Sequence, residues 1–131
     1  MLLRCSFWEM KKVRKSPEDT FYCVSRTYPR WFPQWKDSHY LSLAPSKDLL
    51  DAHKKGHVFW NEYEKLFLEE IRSSPEALAL LKAIWKHAQS KDVYLVCWEK
   101  TDTENMLDTR CHTCLLINLA EDLASDENWT C

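Results

Sequence analysis

The sequence predicts a small three-layer α/β domain, a short, mostly parallel, Rossmann-like sheet flanked by helices. Three observations predict it. "DVYLVCW" (92–98) is an apolar run bounded by charges, the pattern of a strand buried on both faces. Two shorter strand-like runs precede it, the apolar "LLRCSFW" (2–8) and the β-branched and aromatic "TFYCVS" (20–25). Helical patterns fill the space before "DVYLVCW", and another follows it. A chain of 131 residues reads as one domain by length. Residues 1–19 form a strand and a basic loop, 20–124 the core, and 125–131 a frayed tail.

Each element has a local reason. "RTYPRWFPQWKDSHYLSLAPS" carries prolines at 29, 33 and 45, which exclude a continuous helix. It is a long loop, of the kind that often carries function, and "HYLSL" (39–43) reads as a short edge strand within it. Ser46 is an N-cap candidate after Pro45, and "KDLLDAHKK" runs on to Gly56, the only glycine and a C-cap candidate. Phe59, Trp60, Tyr63, Phe67 and Ile71 mark one face of the next helix. Ser74 caps a third helix with Pro75 at its first position, and Leu78, Leu81, Ile84, Trp85 and Ala88 line its inner side. The last helix starts near Cys111 and ends near Ala124, with Leu115, Leu116, Leu119 and Leu123 facing the core.

Charge and composition narrow the partners. The formal net charge of −2 predicts no bulk attraction to nucleic acid, which would need a local patch. Lys11-Lys12-Val13-Arg14-Lys15 is one such patch, and a solvated basic loop is its competing reading. No run approaches the roughly 20 apolar residues of a membrane span. The N-terminus lacks the long apolar segment of a signal peptide, so the expected compartment is the cytoplasm. Six cysteines, at 5, 23, 97, 111, 114 and 131, are many for that compartment, where disulfides are rare. Cys5, Cys23 and Cys97 sit in strand-like runs and read as core residues.

An ordered set of motifs then carries a resemblance. It comprises "SRTYPRW" after the second strand, "LAPS" leading into a helix, "WNEYEKLFLEEI" and "ALALLKAI". It closes with Cys97-Trp98-Glu99-Lys100 and a helix opening with Cys111-His112. Over roughly residues 20–123 the chain resembles the YeaO-like family, a domain of unknown function (DUF 488) found in bacteria and archaea. The resemblance implies an α/β fold with a shared polar site and supplies no established reaction. Trp31 stands where the family usually has Gly, and Thr113 where the wider family usually has Arg after Cys-His. The loop between Lys100 and Cys111 is also long. Loss of that Arg weakens any phosphate clamp inherited from relatives.

Four chemistries compete around "RCHTC" (110–114). An anion site would use the helix start, with Arg26, Arg30 and Lys100 converging on a phosphate or carboxylate. Thiol chemistry would use Cys111 beside His112, with Cys114 resolving. A thioredoxin-like domain would also need further strands and a cis-Pro after that helix, which residues 125–131 do not offer. A zinc site has one CxxC pair and would need Cys97, His112 or Cys131 to complete it, so no metal or other cofactor is assigned. A Cys97–Cys111 disulfide would join strand end to helix start if the source is a hyperthermophile. Inert thiols are the plain alternative to all four.

Glu99, at a buried strand's end, is a general-base candidate against the reading of a solvated loop residue. Trp31 and Trp35 either wall a ligand cleft or cover the core. His39, His53, His57 and His87 read as surface residues. The functional expectation is a cleft lined by Arg26, Arg30, Trp31, Glu99, Lys100, Cys111 and His112. It would bind a small anionic ligand, of phosphate or nucleotide type, with a reactive thiol. The alternative class is a protein-interaction module that uses the aromatic loop 28–40 as its partner surface.

Overall fold

A computed structural model of the chain describes residues 1–10, 20–27, 29, 40–98 and 111–129. The basic stretch Lys11–Lys15, most of loop 28–40 (with Arg30, Trp31, Trp35 and His39), Glu99, Lys100 and Cys131 lie outside the described residues.

The strand formed by "DVYLVCW" sits in the middle, and all five residues of β3 (Val93–Cys97) are buried. It pairs in parallel with β1 (Leu2–Ser6) on one side and β2 (Thr20–Cys23) on the other, giving the order β1-β3-β2. The register aligns Leu2 with Val93 and Ser6 with Cys97, and Thr20 with Val93 and Cys23 with Val96. Single hydrogen bonds prolong both ladders past the strand ends, Phe7 N–H to Cys97 O and Val24 N–H to Val96 O, each 3.1 Å.

Parallel partners in register point to the same face, and faces alternate along each strand. One face carries Cys5, Phe7, Phe21, Cys23, Tyr94 and Val96, with Phe21 stacked on Tyr94 at 5.1 Å. The other carries Tyr22, Val24, Val93 and Leu95, and by the same alternation Arg4, Ser6 and Cys97. The described helices pack on this second face through one large apolar cluster. Both faces are buried, consistent with the three-layer expectation. Each fully buried aliphatic residue such as Leu95 contributes about 1.5–3 kcal/mol of apolar burial.

The caps fall where the sequence places them. In α1 (Lys47–Lys54) the Ser46 hydroxyl accepts from Leu49 N–H at 3.2 Å. Glu70 of α2 (Trp60–Arg72) reaches back to Ser46 N–H at 2.9 Å, which clamps the two helices together. Gly56 follows α1 at φ +76°, the left-handed conformation that favours glycine at a helix exit. Ser74 accepts from Ala77 N–H at 3.1 Å and Pro75 opens α3 (Pro75–His87). The final helix, α4 (His112–Asp126), has Cys111 as its N-cap residue in extended backbone and packs on α2, α3, β1 and β3.

Five details differ from the sequence reading. "HYLSL" gives no edge strand. Tyr40 N–H makes one bond to Cys23 O, then Leu41–Leu43 closes into a 3₁₀ turn. The turn delivers Ala44 in the extended conformation that Pro45 demands of its predecessor. Phe59 is 75% exposed because it precedes α2 instead of facing inward with Tyr63, Phe67 and Ile71. On α3 the expected Leu81, Ile84 and Ala88 are buried, but Ala77 joins them while Leu78 and Trp85 are only half-buried. The tail is anchored and not frayed through residue 129. Asn128 takes φ +53°, and Trp129 turns back, 6% exposed, with its ring 5.8 Å from Trp85. His53 and His87 are half-buried and bonded, His87 Nδ1 to the Tyr22 hydroxyl at 2.8 Å and His53 Nδ1 to Val58 O at 3.0 Å. No helix among the described residues is long and apolar enough to cross a membrane.

Candidate functional site

All three strands end together, and the N-terminus of α4 comes down on that edge, where ligands sit in open parallel sheets. Cys97 is the last residue of β3, and Cys111 is the N-cap of α4. Their sulfurs lie 3.1 Å apart, and both residues are almost fully buried. Their separation is well beyond the roughly 2.05 Å of an S–S bond, so the disulfide weighed for a hyperthermophile source is not formed in this structure.

Two side chains of the first turn complete the sulfur's surroundings. The Thr113 hydroxyl donates to Cys111 Sγ at 3.0 Å and lies 3.9 Å from Cys97 Sγ. His112 Nε2 is 2.8 Å from Val24 O, and its Nδ1 is 4.0 Å from Cys111 Sγ. A carbonyl can only accept, so the Nε2 proton is pinned there and Nδ1 is left to exchange a proton with the thiol. Phe67 packs edge-on against the imidazole at 5.7 Å and holds its plane. The Cys97 hydrogen bond, against the opposing effect of burial, holds the Cys111 thiol well below the ordinary range. The bond and charge of His112 and the Thr113 bond add to it.

The CxxC pair is divided between two jobs. Cys111 faces Cys97, while Cys114 accepts from Arg4 Nη1 at 3.0 Å. Burial alone would pull the Arg4 guanidinium down, but the nearby charges of Cys111 and Cys114 outweigh it and hold it raised. Ser6, paired with Cys97 in the ladder, is fully buried, and its hydroxyl has no hydrogen-bond partner among the described residues.

Beside this cluster lies a cavity of about 300 Å³ bounded by Ser25, Arg26, Lys54, Tyr63, Trp98 and His112, among others. The imidazole thus forms a wall between cavity and thiol. Trp98 is fixed there by its indole N–H, which donates to Thr27 at 3.1 Å (O) and 3.0 Å (Oγ1), and by an edge contact with Phe7 at 5.0 Å. Arg26 donates to Pro45 O at 3.3 Å. Neither Arg26 nor Lys54 pairs with a carboxylate among the described residues. Among those residues no group of three or more His, Cys, Asp or Glu side chains is placed to hold a metal ion.

The structure therefore brings Cys97, Cys111 and His112 together, with Arg26 across the cavity. Arg30, Trp31, Glu99 and Lys100 lie outside the described residues. The expected open helix start is instead buried, with Cys111, His112 and Thr113 at 2%, 6% and 0% exposure. Sequence reasoning missed Thr113, counting it only as a lost Arg, and missed Arg4, Lys54 and Trp98. Arg4 had a signal, a lone charge in an apolar strand. Lys54 had none, because only the fold brings α1 to this edge.

A comparison with family models now bears on the same residues. The model described as the active DUF488-N3 subclade (DUF488-N3a) matches residues 5–124. The chain belongs to the DUF488 family. The YeaO-like resemblance is consistent with that membership, and the DUF488 match runs from Cys5 in β1 to residue 124 within α4, taking in Cys97, Cys111, His112 and Thr113. No curated protein and no solved structure matched the chain.

Proposed function

We propose that this chain binds a small anionic ligand, of phosphate or nucleotide type, in the cavity at the strand ends, with Cys111 as a thiolate beside it. The observation that carries the reading is the shared imidazole. One side of His112 lines a cavity with Arg26 and Lys54, and its Nδ1 faces a sulfur that Cys97 and Thr113 also contact. Cations with no carboxylate partner among the described residues at a concave site favour an anion, and Arg offers a planar fork for phosphate or carboxylate. A thiolate paired with a His is a nucleophile at neutral pH, because its proton already resides on the base. The description of the matched subclade as active fits such a group.

Titration calorimetry of the full chain with inorganic phosphate, pyrophosphate and adenosine monophosphate tests the reading. The wild type takes up at least one of them, and Arg26→Ala weakens it about tenfold or more, the worth of one charge-assisted hydrogen bond. Lys54→Ala weakens it less, since a solvated ammonium contributes less than a fork. A wild type that binds none of the three, or variants that bind as it does, would sink the proposal.

A further inference from the structure

We propose that Cys97 is the resolving thiol of Cys111, so that a peroxide converts the pair into a reversible disulfide. This deepens the reading of Cys111 as the reactive thiol of the site. The two sulfurs are 3.1 Å apart, held by elements that meet only at this edge, the end of β3 and the start of α4. Closing to bonding distance needs a movement of about 1 Å. No other described pair is shown so placed. Cys5 and Cys23 both align with Val96 and therefore flank β3 from opposite sides, about two strand spacings or 9–10 Å apart. Cys114 is turned to Arg4.

The chemistry balances with hydrogen peroxide as the oxidant. The Cys111 thiolate attacks one peroxide oxygen, the S–O bond forms, the O–O bond breaks, and hydroxide leaves. Cys97 sulfur then attacks the sulfenic sulfur, the S–S bond forms, the S–O bond breaks, and the second hydroxide leaves. Two protons turn the hydroxides into water, one from the Cys97 thiol and the other the Cys111 proton held on His112. The two sulfurs lose two electrons and the peroxide gains them. The Thr113 hydroxyl, in reach of Cys111 Sγ at 3.0 Å, is placed to donate to the departing hydroxide. The product occupies the thiolate, so oxidation silences the site and a low-molecular-weight dithiol restores it.

The test is stoichiometric hydrogen peroxide on the reduced full chain, followed by tryptic mapping and fragment-ion assignment. Cleavage after Lys100 and Arg110 separates the two cysteines, Cys114→Ala removes the neighbouring thiol of the second peptide, and fragment ions tell Cys111 from Cys131 at its far end. The expected result is a Cys97–Cys111 cross-link in wild type and in Cys114→Ala, reversed by dithiothreitol. In Cys97→Ser, Cys111 instead stops at a sulfenic acid trapped by dimedone and then passes to the sulfinic acid. Wild-type Cys111 reaching sulfinic acid without a cross-link, or a cross-link that disappears in Cys114→Ala, overturns the proposal. If Cys97→Ser does not fold, the wild type and Cys114→Ala decide alone. A chain that binds the anion but does not cross-link defeats this inference only. One that cross-links but binds no anion defeats the anion reading only.

Discussion

Cys5 and Cys111 are both buried against the same sheet, on opposite faces, and their thiols are driven in opposite directions. Cys5 is pushed up to about 12 by burial, with Glu9 adding to it and Arg4 opposing. Cys111 is held well below the ordinary range although it is buried too. Cys23 stands between them. It shares Cys5's face and its sulfur is met, among the described residues, only by Ser25, through the Oγ at 3.5 Å and the backbone, and burial still raises it. Burial acts alike on all three, so it does not decide the outcome. What decides is how many donors reach the sulfur. Cys111 has Cys97, His112 and Thr113, which β3 and the first turn of α4 gather at the strand ends.

The comparison breaks most visibly through reactivity. At a pH below the ordinary thiol range, a small alkylating agent followed by peptide mapping should label Cys111 ahead of Cys5 and Cys23. Cys111→Ala should abolish that early labelling, and Cys5→Ala should leave it unchanged. Equal labelling of all three would erase the contrast. Phe67→Ala comes next. Phe67 is fully buried and braces the His112 ring, so truncation should cost about 3–5 kcal/mol by denaturant unfolding. The Cys111 titration should also rise as the ring loses its plane. Thr113→Val keeps the shape and removes one donor. It should raise the Cys111 titration and cost about 1.5–3 kcal/mol while the sulfur is ionised. An unmoved titration midpoint would mean that Thr113 is only filling space.

The smallest effect is on the dependence of stability on pH, where the two faces have opposite signs. The unfolded thiol titrates near its ordinary value of 9.0. Cys111, depressed when folded, contributes stability that is full above that value and is lost as pH falls through its folded value. Cys5, raised when folded, contributes stability that is full below 9.0 and is lost as pH rises toward about 12. Chemical denaturation of wild type and Cys111→Ser across this range should show the variant losing the alkaline-side gain.

Much of the fold was legible because it rests on local rules. The caps at Ser46 and Ser74, the turn at Gly56 and the five-residue buried strand follow from residue type and spacing. The failures mark where tertiary contacts override local ones. Trp129 is buried through partners far off in sequence, Trp85 and Lys82, and "HYLSL" coils ahead of Pro45. At the site, Cys97, Cys111 and His112 were foreseen from strand-end and helix-start positions. The role of Val24 was not, because it acts through a backbone carbonyl that every residue carries. Thr113 was misread for a different reason. The family's usual Arg drew attention to the charge that was missing, and not to the hydroxyl that took its place.

The most direct test is an ultraviolet thiolate-absorbance titration of the reduced full chain beside Cys111→Ser. One thiolate should appear below the ordinary thiol range in the wild type, persist in Cys5→Ala, and be missing from Cys111→Ser. If the wild-type absorbance rises only at or above the ordinary range, or Cys111→Ser keeps the early step, then the donors around Cys111 do not hold a thiolate and the account fails.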